Sequence, residues 1–170
     1  FPKDMEALVR IAADAGYEFD LLRAVISANE QQFERIVTKA KSLLDGELAG
    51  RSIALLGLTF KAHTDDLRNS PAIEVARRLT QRGAALKAYD PMITSTSDIP
   101  EEIETSTTIE QALSHVDLAI ILTEWPEFAS ADWPKLSSVM NSPRLVDARN
   151  LLNRDVMFEL GFRYDDLGRT

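Results

Sequence analysis

The sequence predicts an α/β fold: a parallel sheet with helices on both faces, preceded by a helical segment that contains one long central helix. Three observations carry this. Apolar runs at residues 52–58, 85–89, 118–123 and 144–147 are separated by helical patterns, and strands that are apolar throughout belong to a parallel sheet covered on both sides. Before them, over residues 20–44, apolar positions recur in steps of three and four, the period of a helix face. Between the two regimes the stretch from Gly46 to Gly50 marks a boundary. The expected organisation is a helical segment over residues 1–47 and an α/β domain over residues 48–170.

Pro2 suits a first helical position, where its missing N–H costs nothing. Leu8, Ile11, Ala12 and Ala15 follow at helical spacing, and Gly16 stops the run. Asp20 is the expected N-cap of the long helix. Its seam, Leu22, Ile26, Asn29, Phe33, Ile36, Ala40 and Leu43, is heptad-like. Such a helix is roughly 35 Å long, about the width of a small domain. It either lies along its own domain or bridges to another domain or subunit. Its length, and an Asn on the seam able to set pairing register, favour the bridge.

In the second region residues 52–58 form the first strand. Ser70 and Pro71 open a helix as cap and first-turn proline. Ala72, Val75, Ala76 and Leu79 are its core face, and Gly83 ends it. Residues 85–89 form the second strand, closed by Asp90-Pro91. A short helix runs from Thr108 to Leu113, and the most apolar strand covers 118–123. A helix over 133–140, a fourth strand over 144–147, a weak helix near 156–160 and an edge strand at 162–164 complete the pattern.

Composition narrows function. The chain has 170 residues and a formal net charge of -8, which repels nucleic acid and gives no attraction to anionic membranes. Small anionic ligands stay open, because local Arg, Lys and backbone amides bind them regardless of global sign. With no cysteine, disulfides, Cys-based metal sites and thiol catalysis are excluded from this chain. No signal peptide and no run of transmembrane length is visible, so a cytoplasmic location is expected. The chain starts Phe1-Pro2-Lys3-Asp4 without Met, and a native protein extending upstream is expected.

In open parallel sheets ligands bind beyond the C-terminal strand ends. The stretch from Gly57 to Pro71 leaves the first strand and is long for a strand-to-helix connection, as functional loops often are. It lacks G-x-G-x-x-G, so a simple dinucleotide fingerprint is absent. Lys61 and Arg68 can reach anionic oxygens, with Asp65 and Asp66 to orient them; equally, these charges can pair among themselves in solvent. His63 stands without a second cluster of metal ligands. Asp90 sits where dinucleotide folds place a ribose-binding acid, and an Asp-Pro turn explains it equally well. Arg149, just past the fourth strand in Asp147-Ala148-Arg149-Asn150, can clamp a phosphate or sugar, or else form a local ion pair. Glu124 reads as structural and Trp125 as a packing anchor.

Three stretches together resemble the nucleotide-sugar dehydrogenase family (UDP-glucose/GDP-mannose dehydrogenases), and within it the UDP-glucose 6-dehydrogenases. Phe1-Pro2-Lys3-Asp4 is similar to the segment that directly follows the family's nucleophilic Cys. Gly57 to Pro71 matches Gly-Leu-x-Phe-Lys-x-x-Thr-Asp-Asp-x-Arg-x-Ser-Pro. Asp147-Ala148-Arg149-Asn150 is similar to Asp-Gly-Arg-Asn, with Ala148 in place of Gly, and Thr-Glu-Trp-x-x-Phe at residues 123–128 is also typical. The resemblance covers essentially the whole chain.

It implies two Rossmann-like domains joined by a long helix that forms a homodimer interface, here residues 20–44. The NAD domain is missing from this chain, and the domain from about Gly50 binds the UDP-sugar. The implied reaction is the two-fold oxidation of UDP-glucose to UDP-glucuronate with NAD, through a Cys thioester; this chain lacks that Cys and by itself is expected to bind and dimerise only. Residue by residue, Asp4 corresponds to the carboxylate that activates or positions water. Phe1, Lys3 and Arg68 correspond to cofactor contacts, and Phe60, Lys61 and Arg149 to substrate contacts. A GDP-mannose or other nucleotide-sugar dehydrogenase, or a non-enzymatic binding and dimerisation module, is the alternative.

Overall fold

The computed structural model describes residues 4–93 and 99–168 in full and residues 2 and 3 as backbone. Two helices open it, α1 (Pro2–Asp14) and α2 (Asp20–Leu43). The chain divides into two compact units within α2, the first ending at Arg35 and the second beginning at Ile36. In the first unit Leu8, Ile11, Tyr17, Leu21 and Val25 are exposed, and the expected seam residues Leu22, Ile26 and Phe33 are only half-buried. Asn29 is exposed in this single chain.

Among its described residues the second unit holds six strands in one sheet, and chain connectivity dictates its layers. The strands are β1 (Ser52–Leu56), β2 (Ala85–Tyr89), β3 (Ile103–Thr105), β4 (Leu118–Ile121), β5 (Arg144–Asp147) and β6 (Arg163–Asp166). They lie in the order β3-β2-β1-β4-β5-β6, and every neighbouring pair is parallel. This is the doubly wound Rossmann order, whose direction reverses between β1 and β4. Crossovers are right-handed, so connections stepping opposite ways put their helices on opposite faces. α3 (Pro71–Thr80) joins β1 to β2. α4 (Ile109–Leu113), α5 (Pro126–Ala129), α6 (Trp133–Val139) and α7 (Arg154–Glu159) serve the steps from β3 to β6.

Side-chain burial follows that division. Ala54, Leu56, Ala119, Ile121 and Leu145 pack in one cluster with Leu113, Phe128, Trp133, Leu136, Met157 and Phe162 from the α4–α7 side. The alternate strand residues Ile53, Leu55, Leu118 and Ile120 are fully buried and point to the other face, each such side chain worth about 1.5–3 kcal/mol of burial. α3 supplies Ala72, Val75, Ala76 and Leu79 there. One helix cannot cover six strands, and the last turns of α2 complete the layer: Ile36, Val37, Ala40 and Leu44 are buried. Lys39 Nζ lies 2.7 Å from Asp165 Oδ1 on β6. Arg144 Nη1 of β5 donates to Leu43 O at 2.8 Å, and Asp45 pairs with both Arg144 and Arg163.

Expected elements are present, with β4 ending at Ile121 rather than 123, β6 spanning Arg163–Asp166 rather than 162–164, and three further differences. β1 stops at Leu56 rather than 58 because Gly57 turns the chain at φ 90°. β3 has three residues, of which one is buried, too few for a period-two signal. α5 has four residues and no side-chain cap bond, so only the first-turn Pro126 and Glu127 announce it. By contrast Ser70 caps α3 as expected, accepting from Ala72 N at 3.1 Å.

Candidate functional site

In register, Leu56 pairs with Tyr89 and with Ile121, and Ile121 with Asp147. The loops that follow these four residues therefore leave one common edge of the sheet, the edge where such folds bind ligands. Its centre is the turn at Gly57. A Cβ there would stand 2.5 Å from Thr123 Cβ and 2.8 Å from Thr123 N, so β1 and β4 close on each other at a distance only glycine permits. Gly57 N donates to Tyr89 O at 2.8 Å.

Beyond Gly57 the loop is held by one buried carboxylate. Asp90, 5% exposed, accepts through Oδ2 from Leu58 N at 2.8 Å and Thr59 N at 3.0 Å. Thr59 Oγ1 lies 3.0 Å from the same oxygen, and Trp125 Nε1 donates to it at 3.3 Å. Asp90 Oδ1 accepts from Met92 N at 3.0 Å. Of the two sequence readings of Asp90, the structure shows the structural one: its lone pairs are committed to the protein. Thr123 Oγ1 donates to Thr59 O at 3.0 Å, and Ser70 Oγ donates to Leu58 O at 2.6 Å, tying the start of α3 to the same turn. Beside Asp90 a cavity of about 410 Å³ opens between the ends of β2 and β3, walled by Leu58, Tyr89, Pro91, Thr105 and Ser106. Tyr89 stays a neutral donor there. Burial and its hydrogen bond to Glu127 push its phenol up to about 12.

On this braced turn Phe60 and Lys61 project to solvent. Phe60 is 42% exposed, unusual for a large apolar side chain. Lys61 is exposed and has no ion-pair partner among the described residues. The exposed His63 meets the buried Trp125 edge-on, with ring centroids 5.2 Å apart.

At β5 the buried Asp147 plays a similar bracing part. Its carboxylate accepts from Arg149 N at 3.0 Å, Leu152 N at 2.8 Å and Tyr164 OH at 2.9 Å. Arg149 Nε donates to Leu122 O at 2.7 Å and sits 3.3 Å from Glu124 Oε2. Arg149 and Thr59 are thus anchored on adjacent residues of β4's end, Leu122 and Thr123, which brings the β1 and β5 loops to one place. No described group of three or more His, Asp or Glu could hold a metal ion.

Arg68 lies further along the loop and is occupied. Its Nη2 meets Asp66 Oδ2 at 2.9 Å and its Nε meets Asp66 Oδ1 at 3.0 Å, with its side chain 84% exposed. The Arg68 guanidinium, and then the Arg68 N–H, hold the Asp66 carboxyl down to about 2, from an ordinary 3.8. A carboxyl depressed on folding contributes stability above its unfolded value, and that stability is lost as pH falls through about 2. Exposure and salt keep the contribution small. In a carboxyl NMR titration Arg68→Ala is expected to return the Asp66 midpoint towards 3.8 while leaving Tm at pH 7 nearly unchanged.

The other residues singled out from sequence lie elsewhere. Asp4 is exposed in the first turn of α1, in the first unit. Phe1 lies outside the described residues, as does the Lys3 side chain. Gly57, Thr123 and Ser70, which shape the turn, carried no sequence signal of that role beyond a lone Gly, a strand-end Thr and a helix cap.

A model of the UDP binding domain of the UDP-glucose/GDP-mannose dehydrogenase family matches residues 54–154. The chain belongs to the UDP-glucose/GDP-mannose dehydrogenase family. It is similar to UDP-glucose 6-dehydrogenase TuaD of Bacillus subtilis (strain 168), 39% identical over 171 residues, a match that takes in 99% of this chain and 37% of the relative. Of solved structures it is similar to a UDP-glucose dehydrogenase from the hyperthermophilic archaeon Pyrobaculum islandicum, at 33% identity and TM-score 0.76, covering 86% of this chain and 33% of that one. It is also similar to a UDP-D-ManNAc dehydrogenase from Pyrococcus horikoshii, at 27% identity and TM-score 0.81, covering 99% of this chain and 37% of that one. As a family member the chain therefore spans well under half the length of these relatives, and the matched UDP binding domain takes in the β1 and β5 loops that carry Phe60, Lys61 and Arg149.

Proposed function

We propose that this chain is the nucleotide-sugar-binding part of a cytoplasmic, NAD-dependent UDP-glucose 6-dehydrogenase, whose whole reaction oxidises UDP-glucose to UDP-glucuronate. Residues 48–170 hold the UDP-sugar, and residues 1–47 form the helical segment through which two copies pair along α2. The observation that carries the reading is an exposed aromatic ring, Phe60, next to Lys61, which has no ion-pair partner among the described residues, on one braced turn, with Arg149 anchored across the end of β4. Lys61 and Arg149 supply charge for a diphosphate and donors for sugar hydroxyls. Phe60 supplies an apolar face for a ring. Few, well-placed polar groups beside an apolar wall are what orient a small ligand.

NAD does not fit this domain's own crevice. A dinucleotide in a doubly wound fold needs the loop amides after the first strand, and here Asp90 holds those of Leu58 and Thr59. The cofactor belongs with a separate domain, and Arg68, Lys3 and Phe1 are proposed to meet it from this side. With no cysteine, the chain supplies no thiolate; its proposed catalytic contribution is Asp4, as a carboxylate that positions water. In such an enzyme the described residues of this chain bind, orient and brace.

Calorimetry with UDP-glucose, UDP and GDP tests the reading. Micromolar binding of the uridine ligands is expected, and Lys61→Ala or Arg149→Ala should each weaken it roughly 10- to 100-fold, the loss of one charge-assisted hydrogen bond. Lys61→Ala should leave Tm unchanged, since that side chain braces nothing. Binding unchanged in both variants, or preference for GDP, would contradict the assignment.

A further inference from the structure

Four donors at the β1 turn, Leu58 N, Thr59 N, Thr59 Oγ1 and Trp125 Nε1, point at one group. In a doubly wound fold the amides just beyond the first strand face the space where a ligand's phosphates sit, and a glycine lets the backbone approach them. Here the glycine is present, at φ 90°, and the two amides converge at 2.8 and 3.0 Å on a single oxygen. That oxygen belongs to Asp90, delivered from the end of β2 and buried to 5% exposure. A hydroxyl and an indole N–H complete its shell, which is the donor-rich, anion-seeking environment a phosphate oxygen would occupy.

We propose that Asp90 is a built-in substitute for a ligand phosphate: a positioning residue whose carboxylate fills the cradle. It thereby presets the Phe60–Lys61 turn for the nucleotide sugar and closes this domain to dinucleotides. A dinucleotide that entered the cavity between β2 and β3 would bring its phosphates against this carboxylate and find both amides already paired. The positioning half of this inference rests on the nucleotide-sugar reading above; the substitution half does not.

Thermal unfolding of the 170-residue chain at matched ionic strength, in chloride or in inorganic phosphate, tests it. Asp90→Ala empties the cradle and leaves the Leu58 and Thr59 amides without an acceptor. Its Tm is expected to fall in chloride and to rise by roughly 5 °C in phosphate well above its dissociation constant. Wild type and Asp90→Asn, whose side chain still blocks the cradle, should show only the small general rise that phosphate gives a folded protein. UDP-glucose affinity of Asp90→Ala should drop about tenfold in chloride and recover in phosphate, a rescue that a purely structural side chain would not show. If Asp90→Ala fails to fold in chloride, recovery on refolding in phosphate supports the proposal and recovery in neither salt overturns it. No phosphate response in Asp90→Ala, or an equal response in wild type, also overturns it. Phosphate rescue of Tm in a chain whose wild type binds no UDP-glucose would uphold the substitution and sink the nucleotide-sugar reading instead.

Discussion

Gly57→Ala is expected to destabilise the second unit by more than about 3 kcal/mol, or to prevent its folding. Two effects add. At φ 90° a non-glycine residue is strained, and the new Cβ would lie 2.5 Å from Thr123 Cβ, 2.7 Å from its Oγ1 and 2.8 Å from its backbone N. The backbone atom cannot rotate away, so β1 and β4 must separate at the centre of the sheet. Gly161→Ala is the control. It has a similar φ of 83° but nothing within 4 Å of its Cβ position, so it should cost only the conformational part, about 1–2 kcal/mol. Urea unfolding of both variants measures the difference, which isolates the close approach. Equal losses would show that β1 and β4 do not meet as described.

Asp147→Ala should have the second large effect. The carboxylate is fully buried, and its removal leaves the amides of Arg149 and Leu152 and the Tyr164 hydroxyl without their acceptor. A buried group that loses its partner costs about 1–3 kcal/mol, and with two buried groups and one part-buried group affected the total is expected to be about 3 kcal/mol or more. Asp147→Asn keeps one acceptor oxygen and should lose less. Both variants should also bind UDP-glucose more weakly at temperatures where they remain folded, because the loop that carries Arg149 is turned by this carboxylate. Denaturation midpoints and calorimetry on the same samples separate the two effects. A Tyr164→Phe variant that loses stability yet keeps full affinity would confirm that affinity depends on the Arg149 amide bond and not on general loosening.

Much of this was legible in the residues because local and global preferences agree. Ser70-Pro71 opens α3 with both its cap bond and its proline, and the apolar runs of β1 and β4 are buried along their length. The parallel sheet followed from those runs. β3 was hidden because one buried residue in three makes no pattern. The site divides in the same way. Phe60, Lys61 and Arg149 stood out by chemistry and by position past strand ends. What Asp90 does could not be read from an Asp-Pro pair, since its partners at Leu58, Thr59 and Trp125 are more than thirty residues away in either direction. The two-bond pairing of Arg68 with Asp66 was likewise one of two arrangements the residues allowed, and the structure shows it for this chain by itself.

In the proposed function the nucleotide sugar is held between the β1 and β5 loops at the sheet's C-terminal edge. Amide chemical-shift mapping of the chain during a UDP-glucose titration tests it most directly. The largest saturable shifts should fall on Phe60, Lys61 and their neighbours, together with Ala148, Arg149 and Asn150. Saturable shifts confined to other parts of the molecule, or none at millimolar ligand, would contradict it.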